Sequence, residues 1–409
     1  MLFRSSFALL ALLVAFLQFS RPAASAQTLT QVCQPVVTGP ITVASPAQRV
    51  AAGAKAQPPI NDPYNPFAWP DTPLGIIKTP NGYEFFGSDG GAHYRQLWDG
   101  HWVGNNKSGS IVTTLGTLDN PLGSGDPQDV SVSPNPDLAV NPNYPSYGYM
   151  GGGPVYQVPA GMPGAGNLLA TYHAELPNDA LYAALGLATS SDNGLHWTDL
   201  GEIIRLNQAY AVGLDGFEIG DGPLVLSPDA KYFYLYFPDW IANGTLHTTN
   251  PDGVSTITHV SIARALVSSV LAAAFSSTRP HAVPFEKFYE GSWTLQPAIG
   301  GASTDLNPNS APPVEGYLDI HYNSALQRYV MIISNDTTFY YAESVDALHW
   351  TLPASLGTFG PIAAYPTAVG LGDDPHILGA SYYVYFTHLP ADGAGWTDGS
   401  LRRLTFTCP

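Results

Sequence analysis

The chain has 409 residues, of which 11% are charged, and its 32 acidic residues against 15 basic ones give a net charge of −17. So negative a chain repels phosphate backbones and anionic lipid headgroups, which excludes nucleic acid as an expected partner and favours a neutral ligand. Glycine (41), proline (37) and tyrosine (23) are abundant, a composition typical of many short strands joined by turns.

Residues 1–26 have the features of a secretory signal peptide. Arg4 is followed by an apolar run over residues 7–19, and Ala24-Ser25-Ala26 forms a small-residue cleavage site. The run is too short to span a bilayer and no later stretch is long enough, so we expect no membrane insertion. We expect export to the extracellular space or periplasm, and loss of residues 1–26 leaves a net charge of −19.

The two cysteines lie at opposite ends of the mature chain. Residues 27–60, rich in alanine, proline and glutamine without periodicity, are expected to form an arm or linker, and residues 61–409 a single domain. An even cysteine count in an exported protein predicts a disulfide between Cys33 and Cys408. A closed ring brings its ends together, whereas an open array of repeats does not.

The stretch Trp69–Gly91 predicts a hairpin. Thr79-Pro80-Asn81-Gly82 is strong turn chemistry between two apolar runs. Residues whose numbers sum to about 160 should then face each other, which places Ile77 near Tyr83 and Asp71 near Asp89. Opposed side chains lie ~5 Å apart at Cβ, close to the ~5 to 5.5 Å that separates the carboxyl groups of a retaining glycosidase.

The same hairpin design recurs along the chain. The five predicted hairpins start at Asp71, Gly153, Asp221, Glu315 and Asp374. Each is followed by further strand candidates, and five four-stranded antiparallel sheets arranged radially make an all-β, five-bladed β-propeller, which removes long exposed edges by closing the ring. The tail over residues 401–408 is predicted to complete the first sheet or the last.

Two further local patterns fit this architecture. Residues 266–275 carry Ala, Leu and Val at helical spacing and predict one helix outside the ring. Residues 190–197 have the S-x-D-x-G-x-x-W spacing of an Asp box, and residues 344–350 are a shortened relative. We interpret both boxes as propeller turns whose tryptophan fills the gap between strands.

The inner strands of a propeller run along its axis, so their leading residues should surround one opening. The repeats predict that Asp71, Asp221, Glu315 and Asp374 lie there, with Asp89 beside Asp71. Carboxylates gathered in one pocket push their pKa values apart, which supplies an acid and a base or nucleophile. Asp before Gly or Pro is also ordinary turn chemistry, so each carboxylate has a structural alternative.

These segments resemble a known group of enzymes. Asp-Pro-His-Ile at 374–377, followed by Tyr-Tyr-Val-Tyr-Phe at 382–386, resembles the five-bladed propeller glycosidases that act on furanosides and xylosides. Within that group, Asn81-Gly82 in the turn and Phe86-Gly87-Ser88-Asp89 after it are similar to the bacterial endo-D-arabinanase family. The resemblance implies Asp71 and Asp89 as the catalytic pair, a glycan substrate, no required cofactor, and room for a structural calcium ion.

The sequence therefore predicts a secreted, monomeric glycoside hydrolase for an arabinan-like or arabinogalactan-like polymer. Sugar contacts are expected from Asp221, Glu315, Asp374, His376, Trp69 and Tyr94. A non-catalytic glycan-binding propeller is the main alternative. A sialidase is a lesser one, because it needs three arginines converging on a carboxylate and arginines are few.

Overall fold

The computed structural model describes residues 29–45, 73–88, 111–121, 123, 128–129, 131–133, 149–175, 183–194, 196–206, 220, 222–240, 258–275, 283, 285–306, 317–391 and 399–409. Their strands form five separate sheets of four or five strands each. Among the residues described, no helix is long and apolar enough to cross a membrane.

The sheets follow one another along the chain as blades 1 to 5, apart from the first strand, β1 (Val36–Ala44), which belongs to blade 5. Blade 1 consists of β2 (Gly75–Thr79), β3 (Gly82–Ser88), β4 (Ile111–Gly116) and β5 (Gln128–Asp129). Blade 2 consists of β6 (Ser131–Ser133), β7 (Tyr149–Gln157), β8 (Leu168–Glu175), β9 (Ala183–Ser190) and β10 (His196–Arg205). Blade 3 consists of β11 (Leu224–Leu226), β12 (Tyr232–Trp240), β13 (Thr258–Leu266), then β14 (Glu286–Tyr289) and β15 (Ser292–Pro297) after the helix α1 (Val267–Phe275).

Blade 4 consists of β16 (Tyr317–Asn323), β17 (Arg328–Ser334), β18 (Thr338–Ser344) and β19 (Ala354–Thr358). Blade 5 consists of β20 (Ile362–Gly370), β22 (Ser381–Leu389), β23 (Ser400–Thr407) and β1. The two-residue strand β21 (Ile377–Leu378) lies between β20 and β22 in the chain but pairs in parallel with β16 of blade 4.

The five inner strands, β2, β7, β11, β16 and β20, meet around one axis. Residues from each of them, or adjoining its end, line a single axial cavity. In every blade the inner strand pairs antiparallel with the second strand of that blade. The predicted all-β, five-bladed propeller is therefore confirmed, and the inner strands share one polarity along the axis.

Four of the five predicted hairpins are confirmed, and the fifth is wrong in its first strand. The segment 372–378 was expected to be the inner strand of the last blade, but β20 holds that place and pairs with β22. Asp374 therefore lies after the carboxyl end of an inner strand, whereas Asp71, Asp221 and Glu315 precede inner strands in the sequence. It does not occupy the repeat position assigned to it.

The first hairpin differs from its predicted register by one residue. Thr79 pairs with Gly82 across the turn residues Pro80 and Asn81, so paired residue numbers sum to 161 rather than 160, and Ile77 faces Glu84. A shift of one residue moves a side chain to the other face of the strand. The expected opposition of Asp71 and Asp89 rested on the other register, and both residues lie outside the described part of the chain.

The ring is closed by the two ends of the chain. Strand β1 lies within the segment expected to be an arm, yet it pairs with β23 as the outer strand of blade 5. The predicted Cys33–Cys408 disulfide is present and joins residues 375 apart in sequence. The buried Glu343 carboxylate also accepts hydrogen bonds from the Val32 and Cys33 amides. Covalent and hydrogen-bonded contacts thus hold the amino-terminal segment on blades 4 and 5.

Both Asp boxes act as wedges between blades. In the first box the Trp197 indole N–H donates to the Gly194 carbonyl, and the ring packs edge-on against Phe86 of blade 1. In the second, Trp350 meets Tyr236 of blade 3 in the same way, with ring centroids 5.9 Å apart. Each tryptophan belongs to one blade and packs against a residue of the preceding blade, so the gap that it fills lies between two blades.

The helix α1 covers the sheets of blades 2 and 3. Its buried side chains include Val270, Leu271 and Ala274, which join the largest apolar cluster of the described residues. Its residues do not line the axial cavity. The helix predicted over 266–275 is therefore confirmed, one residue shorter at its start.

Candidate functional site

The axial cavity is narrow and mixed in character. Leu74, Pro223, Ala368 and other apolar groups form most of its wall, and its titratable side chains are Tyr156, Asp319, His321 and His376. It has room for about one water molecule. A cavity of this size does not admit a sugar ring, so we expect a glycan to bind at one of its two ends. We name these the amino-end mouth and the carboxyl-end exit, after the ends of the inner strands.

The face of β16 that points toward blade 5 carries a row of polar and aromatic side chains. Successive side chains of a strand point to opposite faces, so Tyr317, Asp319 and His321 share a face at steps of ~6.6 Å. Leu318 and Ile320 alternate with them and enter the apolar cluster shared with blade 3. This row therefore runs from the amino-end mouth toward the carboxyl-end exit, at the seam between blades 4 and 5.

His321 is held as a cation by its two hydrogen bonds. Its Nδ1 lies 3.0 Å from the His376 carbonyl oxygen and its Nε2 lies 2.9 Å from Asp319 Oδ2. A backbone carbonyl oxygen and a carboxylate oxygen both accept hydrogen bonds, so each ring nitrogen must carry a proton for both bonds to form. Burial opposes this charge, but the Asp319 carboxylate and its hydrogen bond outweigh burial, and the pKa of His321 is raised above its usual 6.5.

Asp319 is fixed from both blades. Besides its bond to His321, the same oxygen accepts the amide N–H of Ala368 on β20. Asp319 is 3% exposed and His321 12%. This buried ion pair therefore joins two inner strands at the level of the cavity.

His376 has the opposite charge preference. Its ring lies 4.9 Å from the Tyr156 ring and 6.4 Å from that of His321. Burial lowers the pKa of His376 to about 4, against the pull of the Asp374 carboxylate and with the added repulsion of the His321 cation. Its Nε2 is buried and has no hydrogen-bond partner among the described residues. Between the lowered pKa of His376 and the raised pKa of His321, the axis thus holds one charged and one neutral imidazole.

Removing His321 should destabilise the propeller in a pH-dependent way. His321→Leu leaves the Asp319 carboxylate buried without its cation, which we expect to cost about 3 kcal/mol at pH 6. Because the folded pKa is raised, the stabilisation by His321 is fully present below pH ~6.5 and is lost as pH rises through the folded pKa. Urea unfolding of the wild type and variant from pH 5.5 to 9 measures this difference.

The double variant Asp319→Leu/His321→Leu serves as the control. It removes both charges, so it should lose less stability than His321→Leu alone. A stability difference between wild type and His321→Leu that stays constant over the pH range would contradict the charged state assigned to His321.

The structure describes two of the predicted sugar-contacting residues. His376 lines the axial cavity. The Asp374 side chain is exposed and accepts the His376 amide N–H at 2.9 Å. The other predicted catalytic and substrate residues, Asp71, Asp89, Asp221, Glu315, Trp69 and Tyr94, lie outside the described residues, and their roles stay predictions.

Sequence reasoning did not select Asp319 or Tyr317 for this site. The signal was present as Tyr-x-Asp-x-His at 317–321, a polar alternation in a strand whose other face is apolar. This pattern could be assigned to the cavity only with β20 in place, because β20 supplies the Ala368 amide, and β20 was not predicted to be the inner strand.

The described donors around the cavity do not suit calcium. Calcium takes six to eight oxygen ligands, whereas this wall offers two imidazoles and one carboxylate already engaged by His321 and Ala368. Within the part of the chain that the structure describes, no group of three or more His, Cys, Asp or Glu side chains could hold a metal. The calcium ion that the resemblance allows therefore stays a prediction without support from these residues.

No protein-family model and no curated protein matches the chain. Among solved structures, a family 117 glycoside hydrolase of Zobellia galactanivorans is 10% identical over 81% of this chain and 83% of that one, with a TM-score of 0.44. A GH43_1 enzyme of Xanthomonas citri is 13% identical over 87% and 92%, with a TM-score of 0.42. The β-xylosidase RS223 is 11% identical over 83% and 93%, with a TM-score of 0.43. These values are too low to transfer an activity to this chain.

Proposed function

We propose that the chain is a secreted glycoside hydrolase that cleaves a neutral, furanoside-type polysaccharide, of the arabinan or arabinogalactan kind, across the amino-end mouth. One observation carries the proposal: the inner strands converge on one axis with one polarity. Asp71, Asp221 and Glu315 precede three of these strands, β2, β11 and β16, by two to four residues in the sequence. Glycoside cleavage needs a pair of carboxylates, and these three acids precede inner strands at similar points of the repeat.

The place of each carboxylate in the repeat suggests its role. Asp71 acts as nucleophile or base, and Glu315 acts as the acid that protonates the leaving oxygen. Asp221 orients the sugar and raises the pKa of the acid, because like charges close together cannot all ionise cheaply. Asp89 stays a prediction for the second catalytic carboxylate. If the observed register continued to the ends of the hairpin, Asp71 and Asp89 would be one residue from direct opposition.

The charge and the cavity both bear on the substrate. A strongly negative chain disfavours uronic and sialic acids, which supports a neutral glycan. None of the described arginines lines the axial cavity, so a sialidase site finds no support there. Because the cavity is too narrow for a sugar, the chain of the polysaccharide would lie over the mouth, where Trp69 and Tyr94 are proposed to contact it.

Export is part of the proposal. The Cys33–Cys408 disulfide supports an oxidising compartment, in line with removal of residues 1–26 during secretion. We propose a monomer that acts on polysaccharide outside the cell or in the periplasm.

A substrate screen tests the function. Purified protein is incubated with arabinan, arabinogalactan, fructan and xylan, and released sugars are analysed by chromatography. We expect oligosaccharides from arabinan or arabinogalactan. Binding to one of the four polymers without any product would overturn hydrolysis in favour of a glycan-binding propeller.

A further inference from the structure

The seam between blades 4 and 5 carries an aromatic pair at its amino end. The rings of Tyr317 and Tyr365 lie with centroids 4.1 Å apart and planes tilted by 50°. Tyr317 is the first residue of β16 and shares a face with Asp319 and His321. It therefore lies at the amino-end side of the ion pair that adjoins the axial cavity.

Tyr365 is held by a distortion of the inner strand. Between Ala364 and Thr367 the pairing of β20 with β22 slips by one residue, which marks a β-bulge. Within it Tyr365 has a φ of +57°, in the left-handed region that favours glycine, and it stands directly before Pro366. A tyrosine at such a position is uncommon, and bulges of this kind re-aim side chains next to active sites.

The bulge is fixed on both sides. On one side the Ala363 amide donates to the Asp336 carbonyl, and the Ser334 hydroxyl donates to the Ala363 carbonyl, both from blade 4. On the other side, the Thr367 hydroxyl oxygen accepts the amide N–H of Leu74 from blade 1. Hydrogen bonds from the neighbouring blades thus hold the backbone in its strained conformation.

The orientation of Tyr365 is unlike that of its neighbours. Ala364, Pro366 and Thr367 are buried, whereas Tyr365 and Tyr317 are both partly exposed. The bulge thus holds a large, partly exposed ring beside Tyr317. Strained backbone that the surrounding structure holds in place tends to lie at ligand-binding sites, which favours a role in binding for this pair.

We propose that Tyr317 and Tyr365 form an aromatic subsite at the amino-end mouth that packs against the C–H face of a neutral sugar ring of the polysaccharide. The inference deepens the proposed function and rests on it for the identity of the ligand. Because the two aromatic rings are tilted by 50°, one can contact the face of a sugar ring while the other contacts its edge. The subsite binds and orients the sugar and takes no part in bond cleavage.

Tyr365→Gly is the decisive variant. Glycine adopts positive φ without strain, so this change removes the ring and relaxes the backbone without threatening the fold. In an Asp71→Asn background, isothermal titration with arabinohexaose and binding to arabinan, arabinogalactan, fructan and xylan in affinity gels measure glycan binding without turnover. We expect about tenfold weaker binding for Tyr365→Gly.

Three controls separate ring packing from other effects. Tyr365→Phe and Tyr317→Phe keep the rings and should bind within about twofold of the background. Tyr289→Ala, at the outer edge of blade 3, should leave binding unchanged. Thermal unfolding of each variant shows that binding is compared between folded proteins.

The outcomes distinguish this inference from the proposed function. Unchanged binding in Tyr365→Gly, or no binding of any of the probes by the Asp71→Asn protein, overturns the aromatic subsite. Ring-dependent binding without cleavage in the wild-type screen supports the subsite and overturns hydrolysis. Cleavage in the wild-type screen together with unchanged binding in Tyr365→Gly supports hydrolysis and overturns the aromatic subsite.

Discussion

Replacing Asp71 with asparagine is expected to lower kcat by about 10³-fold on the polysaccharide that the protein cleaves, while binding of that polysaccharide stays the same. Asparagine has the shape of aspartate but neither its charge nor its basicity, so it keeps contacts to the sugar and loses the nucleophile or base. Initial rates by reducing-sugar release, paired with affinity gels, measure the two effects separately.

The second carboxylate is identified by the same series. Glu315→Gln should reduce kcat as strongly on polysaccharide but much less on a substrate with an activated leaving group, because such a group departs without protonation. Asp89→Asn tests the alternative acid, and the residue that shows this leaving-group dependence is the proton donor.

The matched control is Asp373→Asn. Asp373 is an exposed carboxylate that pairs with Lys78 beyond the carboxyl end of β20, so it tests a loss of negative charge away from the amino-end mouth. Its activity should equal that of the wild type. Wild-type turnover in Asp71→Asn would remove this residue from the mechanism and leave the proposed function without its nucleophile.

Turn chemistry predicted most of the ring from the sequence. Thr79-Pro80-Asn81-Gly82 specified the first hairpin because proline and Asn-Gly restrict the turn conformations, and the Asp boxes specified turns whose tryptophan fills a gap between strands. The register was still off by one, since a loop of two residues, Pro80 and Asn81, makes the paired numbers sum to an odd value. Placing the centre of a turn half a residue away is enough to change which side chains face each other.

The inner strand of blade 5 was missed for a physical reason. The segment 372–378 carries the Gly, Asp and Pro before an apolar run that marks the other hairpins, while β20 contains Tyr365-Pro366, and proline in a central strand argues against a strand. The bulge accommodates this proline, and contacts of β20 with blades 1 and 4 help to stabilise it. Local sequence propensity does not predict contacts between distant strands. The Asp319–Ala368 hydrogen bond and the Tyr317–Tyr365 ring contact were therefore not predictable.

Strand β1 was hidden for a related reason. It contains Gly39-Pro40 and is largely exposed, which makes it resemble a linker. It lies at the edge of blade 5, where a missing N–H is tolerated and a proline protects the edge from pairing with other chains. Its partner, β23, is more than 350 residues away, so the pairing depends on closure of the whole ring.

Removing the disulfide is the second change with a large expected effect. Cys33→Ser/Cys408→Ser should lower the free energy of unfolding by about 5 kcal/mol, because the bond closes a loop of 375 residues and restricts the unfolded chain. For a domain of this size that corresponds to a fall in Tm of roughly 6 °C. Calorimetry of the variant and of the wild type with and without reductant measures it.

The disulfide should matter for stability more than for the shape of the ring. The hydrogen bonds of β1 with β23 and of Glu343 with the Val32 and Cys33 amides remain in the double-serine variant, so the propeller should still close and keep its activity. Adding Glu343→Gln to that variant removes a charged acceptor for these two amides and should lower Tm further, whereas reductant should have no effect on either variant. A double-serine variant that melts within about 1 °C of the oxidised wild type would mean that β1 and Glu343 alone hold the ends, and that the unfolded chain is compact enough to gain nothing from the bond.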